Sequence, residues 1–418
     1  MLVAEVAIVG GGPAGAAAAI TLARAGRDVL LVDKARFPRD KCCGDGLTAA
    51  ALRELEDLGL RPEAVAGWQP VHDVHLRSPS GRTVGLPLPR GPQDGLFAVV
   101  APRSTLDAAV VDLARAAGAK VLDGHALRGA SLAGGKGDGA VALDVEGLGP
   151  VEAEYVIGAD GAWSPLRKFL GVHQPGYLGD WHAFRQYFRG CGPAARDLWV
   201  WFDADLLPGY MWSFPLPDGR ANVGFGLERN EEFDAHRMGE LWPELLERPH
   251  VREVLGPDAV AEAPHKAWPI PARVRDVPLT AGGGRALFVG DAACATDPLT
   301  GEGIAQALST GRRAAEAILA GGGVGGGRGG PAGVGARYET AVRHDLFADH
   351  WLGDLLSRGL SHRKGARIAI RAAGLNGWTQ RNFARWLFED YPRAVMATPR
   401  RWSRRMFTAP GAYREASR

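Results

Sequence analysis

The sequence has no long hydrophobic run. Its 418 residues contain no stretch of about 18 consecutive apolar residues, so no membrane-crossing helix is expected. Cysteine is scarce: Cys42, Cys43, Cys191 and Cys294 follow no zinc-ligand spacing, and two of them are adjacent. That pattern excludes a disulfide-stapled scaffold, points to no metal site and fits a reducing compartment. An overall excess of one charge is missing too. The net charge is +2, which leaves no nucleic-acid footprint on the molecule as a whole. No basic-then-apolar leader precedes the first expected strand, so a cytoplasmic rather than a secreted protein is expected. There is no internal repeat. The remainder is an ordinary globular composition, 46% hydrophobic and 23% charged, long enough for more than one domain.

The near-neutral total hides an asymmetry. Residues 336–418 hold 16 Lys and Arg against 7 Asp and Glu, a net of +9, which leaves −7 for the rest of the chain. A basic tail fits peripheral contact with anionic lipid headgroups; it equally fits a set of solvated helix faces.

The N-terminal residues carry the first chemical signal. Residues 3–9 are a Val- and Ile-rich run, followed by Gly10-Gly11-Gly12-Pro13-Ala14-Gly15. An Ala- and Leu-rich helix reaches Arg24, Gly26 stops it, and a second buried strand over 29–32 ends at Asp33. This is the strand-turn-helix-strand opening of a dinucleotide-binding sheet. Gly10 permits the tight turn, Gly12 lets backbone N–H groups approach a pyrophosphate, and Gly15 lets helix and strand pack closely. Pro13 and Ala14 open the helix whose N-terminus favours an anion. Asp33 is placed to accept ribose hydroxyls, and its charge would repel a 2′-phosphate.

Further along, 106–117 read as a helix, 120–122 and 286–289 as strands, and 304–319 as a long helix. The nucleotide domain is therefore expected to be discontinuous, over 1–62, 96–175 and 276–320. Residues 63–95 and 176–275 form the second domain; from about 176 to 271 the chain is rich in Trp, Tyr, Phe and Pro with alternating patterns, which reads as an antiparallel sheet. The stretch 321–335, GGGVGGGRGGPAGVG, reads as a flexible linker to a helical tail over 336–418. The fold class is α/β: a Rossmann-like domain with an inserted antiparallel-sheet domain and a helical C-terminal region.

Two more glycine-acid turns narrow the ligand to FAD. Asp160, in Gly158-Ala159-Asp160-Gly161, and Asp291, in Val289-Gly290-Asp291, each follow an apolar strand and can accept hydroxyls of a ribityl chain. Asp297-Pro298-Leu299-Thr300-Gly301-Glu302-Gly303-Ile304 then supplies a turn at Gly301 and Gly303 that admits an aromatic ring. The helix starting at Ile304 would point its N-terminus at that ring and stabilise a reduced, anionic flavin by roughly 0.3–2 kcal/mol.

This order of motifs resembles the flavoprotein group of para-hydroxybenzoate hydroxylase, the flavin halogenases and the geranylgeranyl reductases, over most of residues 3–319. Two segments are similar to the geranylgeranyl reductase family. Pro38-Arg39-Asp40-Lys41-Cys42-Cys43-Gly44-Asp45-Gly46-Leu47 resembles its P-R-x-K-x-C-G-x-G segment, with the family's cysteine on Cys43. Tyr210-Met211-Trp212-Ser213-Phe214-Pro215, with Gly224-Phe225-Gly226 downstream, fits its Y-x-W-x-F-P…G-x-G signature at every fixed position. The halogenase W-x-W-x-I-P is absent from that region. The family's menaquinone-chain reductases carry N-P-L-N-G-E-G-I, from which this chain departs at Asp297 and Thr300.

The resemblance implies reduction of isolated isoprenoid double bonds in a geranylgeranyl lipid or a menaquinone side chain, with FAD as cofactor. It implies that Gly44 and Gly46 contact the flavin through backbone, that Arg103 contacts FAD, and that Leu127, after the strand and Gly124, lies where backbone holds the adenine. Tyr210, Trp212 and Phe214 share one face of a strand and would line an apolar tunnel. Cys43 or Tyr210 would supply the proton. NAD(P)H, or another carrier such as ferredoxin, would donate electrons transiently, since the chain has no second dinucleotide fingerprint. Two other readings stay open: a flavin monooxygenase acting on an aromatic or terpenoid metabolite, and a non-enzymatic flavin or lipid carrier.

Overall fold

A computed structural model describes residues 1–91, 93–132, 140–229, 235–321, 330–402 and 408–414. The Val- and Ile-rich opening becomes strand β1 (Leu2–Val9), which lies between β2 (Val29–Asp33) and β4 (Gly149–Gly158) and runs parallel to both. β3 (Lys120–Asp123) extends the parallel sheet beyond β2, and the Ala286–Phe288 strand extends it beyond β4. Every residue of β2 is buried, as expected of a parallel strand covered on both faces. Helix α1 (Pro13–Arg24) packs against α2 (Arg103–Ala116) and α3 (Ile304–Ala320).

The second sheet is built on β5 (Trp181–Arg189), β6 (Leu198–Trp201), β7 (Tyr210–Leu216) and β8 (Arg220–Glu228). Its order runs β5, β8, β7, β6, then the Asp73–Arg77 and Thr83–Pro87 strands. The pairs are antiparallel except β6 with Asp73–Arg77, which is parallel. Two helices, Ala235–Leu246 and Pro249–Leu255, interrupt the region read as strand throughout. The first has helical spacing beneath its aromatic texture: Met238, Trp242 and Leu245 are buried at i, i+4 and i+7, and Trp242 stacks on Phe225 at 5.6 Å.

The expected flexible stretch does not hold at 330–335, which opens helix α4 (Gly330–Leu360); residues 322–329 lie outside the described residues. Val334 and Tyr338 are fully buried, and Tyr338 donates its hydroxyl to the Phe288 carbonyl at 2.5 Å. A Cβ on Gly335 would come within 2.9 Å of Gly284 Cα, so the small residues serve a close helix approach rather than flexibility. Helices α5 (Arg363–Ala373) and α6 (Gly377–Leu387) follow, and the chain then returns toward the parallel sheet's C-terminal edge. Arg404, Arg405 and Arg418 of the basic tail lie outside the described residues. Among the described residues, no helix is long and apolar enough to cross a membrane.

Candidate active site

One cavity of about 770 Å³ is lined by both sheets. At one end stand Gly10, Gly12, Asp33 and Leu127; at the other, Cys43, Gly46, Trp212 and Gly301. The turn at the first end is shaped by missing side chains. Gly10 has φ +106°, and a Cβ there would overlap the Ala159 carbonyl; a Cβ on Gly15 would overlap the Gly10 carbonyl. Gly12 caps α1 with no side-chain hydrogen bond and Pro13 follows, so the first-turn N–H groups face the cavity end without a capping side chain. The Asp33 carboxylate accepts the Gly11 N–H at 2.7 Å and the Ala35 N–H at 2.8 Å, which braces the turn.

The other two acids also reach the cavity. Asp160 accepts the Leu166 N–H on Oδ2 at 2.8 Å, while its buried Oδ1 has no partner among the described residues; burial pushes this carboxyl up to about 6. Burial would likewise raise Asp291, but Lys41, at 2.8 Å, holds it below the usual carboxylate range. Arg103 lies buried at the cavity wall with both arms on Asp107, at 2.7 and 2.8 Å. Leu127 and Ala126 line the cavity beside Asp33. The side-chain-free turn, the orphaned Asp160 oxygen and a volume inside the roughly 300–1,000 Å³ of small-molecule sites fit FAD.

At the other end of the cavity the Cys43 loop packs on the aromatic strand. A Cβ on Gly44 or Gly46 would lie 3.2 or 3.1 Å from the Phe214 ring. Between them Asp45, at φ +63° and 0% exposed, turns inward. It accepts the Tyr187 hydroxyl at 2.6 Å, Asn222 Nδ2 at 2.8 Å and the Arg103 N–H at 3.2 Å. Burial nevertheless raises Asp45 to about 6. Asn222 also donates to the Cys43 carbonyl at 2.9 Å and accepts Trp212 Nε1–H at 3.1 Å, so one amide ties the aromatic wall to the loop. Strand alternation places Tyr210, Trp212 and Phe214 on the cavity, with successive ring centroids 6.0 Å apart, and sends Met211 into the core behind. Replacing Asn222 by Leu strands the indole N–H and one Asp45 lone pair. The expected cost is about 1–3 kcal/mol, read as a lower denaturant midpoint at unchanged slope; an unchanged midpoint refutes the linking role.

The tail completes the site, which sequence reasoning did not anticipate. Arg393, 3% exposed, pairs with Asp297 at 2.7 Å and donates to Thr300 Oγ1 at 3.0 Å. These are the two positions that depart from the family's N-P-L-N pattern. Asp297 Oδ1 in turn accepts the Leu299 and Thr300 N–H groups at 2.9 and 2.8 Å. A second difference concerns the start of α3. The Ile304 N–H, expected to face the cofactor, is bonded to Glu302 Oε1 at 2.9 Å, and the Ala305 N–H joins it at 3.1 Å. A carboxylate two residues upstream reaches these donors first.

Arg185 is the other residue missed. It lies 3% exposed in β5, pairs with Asp40 at 2.7 Å, donates to the Lys41 carbonyl at 3.1 Å and covers the Tyr187 ring at 4.1 Å. An arginine in the interior of an aromatic-rich strand, flanked by Phe184 and Tyr187, was its available signal.

The comparisons agree with this geometry. A family profile described as FAD binding domain matches residues 3–320. A menaquinone reductase of Mycolicibacterium smegmatis is 36% identical over 340 residues, covering 76% of this chain and 77% of that one. Digeranylgeranylglycerophospholipid reductase 1 of Methanopyrus kandleri is 33% identical over 329 residues, covering 75% and 80%. A geranylgeranyl bacteriochlorophyll reductase-like crystal structure from Thermoplasma acidophilum superimposes with a TM-score of 0.78 over 96% of this chain and 100% of that one, at 22% identity, and so shares the fold. The chain belongs to the FAD binding domain family, in the branch of the menaquinone and digeranylgeranylglycerophospholipid reductases, and is a FAD-dependent oxidoreductase.

Proposed function

We propose that this protein reduces double bonds of an isoprenoid chain, in a geranylgeranyl lipid or a menaquinone side chain. One observation carries the reading: the wall of Tyr210, Trp212 and Phe214, packed on the Cys43 loop, lines the same cavity that begins at the dinucleotide turn. Relatives named for menaquinone and for a digeranylgeranyl phospholipid support the hydrophobic class of substrate. When bound, FAD supplies the two electrons of the reduction. The chain's own groups do the rest. Gly10, Gly12, Pro13, Ala14 and Gly15 offer the pyrophosphate a helix N-terminus, while Asp33, Asp160 and Asp291 take sugar and ribityl hydroxyls. Gly44, Gly46, Gly301 and Gly303 let backbone approach the ring, and the aromatic wall excludes water and aligns the alkene, which offers no polar handle of its own. NAD(P)H or another carrier delivers electrons from a transient position. Lipid extracts analysed by mass spectrometry before and after anaerobic incubation with the reduced protein test the reading. Prenyl lipids gaining two hydrogens per saturated bond support it; an unchanged pool counts against it.

The C-terminal helices support contact with a membrane surface. Trp351, Leu355, Ile368, Leu375 and Trp378 are exposed, and Arg363, Lys364, Arg367 and Arg371 stand exposed along α5. In α4, Gly353 packs on Pro298, beside the cavity-lining Leu299, while Trp351 and Leu355 on the same helix stay in solvent. Reversing Arg367 and Arg371 to Glu removes about 1 kcal/mol per basic residue and is expected to weaken binding to anionic vesicles more than about tenfold in co-sedimentation. Equal wild-type binding to anionic and zwitterionic vesicles argues against this contact.

A further inference from the structure

Glu302 lines the cavity between Gly301 and Gly303 and has no part in the reading above. Titratable groups crowd it: Asp297 from its own loop, Glu389 from the tail, Tyr210 from β7 and Cys43 from the Cys43 loop, with Arg393 and His350 on the far side of Asp297. His350 is held neutral by burial, and its Nε2 lies 3.2 Å from the Ala295 carbonyl. Asp297 and Glu389 therefore share one guanidinium, that of Arg393, while Glu302 pairs with no cation among the described residues. Fully ionised, this cluster, in which Asp297 is buried and Glu302 and Glu389 are half-buried, would carry an excess of two negative charges, and crowded carboxylates withdrawn from water bind protons instead. A second observation agrees. Gln306, one turn beyond Glu302, donates Nε2–H to Glu389 at 2.8 Å, yet its own buried Oε1 has no donor among the described residues. A buried amide oxygen without a donor, one turn from Glu302 and beside Glu389, leaves an acceptor open to a protonated carboxyl.

We propose that Glu302 holds this proton and delivers it to the substrate double bond, with Glu389 as the positioning residue that keeps it in place. The proposal rests on the reductase reading. The alkene π pair is broken; one carbon takes a hydride equivalent from reduced FAD, and the other forms a C–H bond with the Glu302 proton. FAD ends oxidised, and the Glu302 carboxylate regains its proton from water. The two donors expected from the sequence are less suited. Tyr210 gives its hydroxyl proton to the Thr300 carbonyl, and burial pushes the Cys43 thiol up, making it the weaker acid.

Burial and the neighbouring Glu389 push Glu302 up to about 8. The acid form is thus present at neutral pH and lost as pH rises through that value. Infrared spectra of the FAD-loaded protein should show a buried protonated-carboxyl C=O band that fades as pH rises through about 8 and is absent from E302Q. Reduction of a geranylgeranyl lipid should fall over the same range. E302Q should keep the bound-flavin visible spectrum, lose about 10²–10⁴-fold in rate and show no such pH limb. E389Q removes a negative neighbour, so band and limb should both move to lower pH. The proposal is overturned if E302Q keeps the band, or reduces the lipid at the wild-type rate and pH profile. Should E302Q release FAD, an unmoved band in E389Q overturns it equally. Wild-type protein that carries the band but reduces no prenyl chain overturns the reductase reading and the delivery step with it; an active wild type with an indifferent E302Q overturns only the role of Glu302.

Discussion

Gly15→Val protein is expected to purify without bound flavin. The position has no room for a side chain: even a Cβ would overlap the Gly10 carbonyl oxygen and lie 3.1 Å from the Ala159 methyl. Both neighbours belong to fixed parts of the parallel sheet's edge, so the strain falls on the start of α1. That start is where the pyrophosphate must meet backbone N–H groups, with Asp33 holding Gly11 in register. Hydrogen bonds to a charged group contribute about 1.5–3 kcal/mol each, so misplacing two of them lowers FAD affinity by more than about a hundredfold. Titration of the stripped protein with FAD, followed by flavin fluorescence, measures this. A variant that binds FAD as tightly as wild type would remove the pyrophosphate site from this turn.

Arg393→Ala should be the most destabilising single change in the tail. It leaves the 2%-exposed Asp297 without its counter-ion and strips Thr300 of a donor. Breaking a buried pair from one side costs about 3–5 kcal/mol. The pH dependence has a definite sign. Burial would raise Asp297, but Arg393 holds it below its ordinary 3.8. The pair's contribution is therefore full above that value and lost as pH falls through the folded-state value. The stability gap between wild type and variant should be widest near neutral pH and narrow as the solution is acidified. Denaturant midpoints of both proteins across the acid range give the answer; a gap independent of pH, or none, contradicts the pairing. Loss of FAD should accompany the loss of stability, because the same turn carries Gly301 and Gly303.

Periodicity and local motif made much of this molecule legible. The run ending at Val9, the glycine turn and Asp33 act through neighbours in sequence, so strand, turn, helix and acid could be read directly and stand where expected. Tyr210, Trp212 and Phe214 were readable for the same reason, since alternation alone puts them on one face. What could not be read depends on long-range pairing. Asn222 reaches Cys43 and Asp45 from about 180 residues away, and Arg393 reaches Asp297 across 96. No local pattern announces such partners. The glycine stretch misled for another reason: composition cannot distinguish a flexible glycine from one whose missing side chain admits a helix, as Gly335 does against Gly284. Ile304 shows the limit of helix-end reasoning, because an N-terminus counts as open only until a nearby carboxylate such as Glu302 takes its donors.

The most direct test mixes prereduced protein, without oxygen, with a geranylgeranyl lipid that has no quinone ring to take the electrons. The flavin should reoxidise on mixing, and the product should carry two more hydrogens per bond and no added oxygen. Flavin that stays reduced until air is admitted, with product gaining an oxygen atom, would contradict the account and turn this cavity over to monooxygenation.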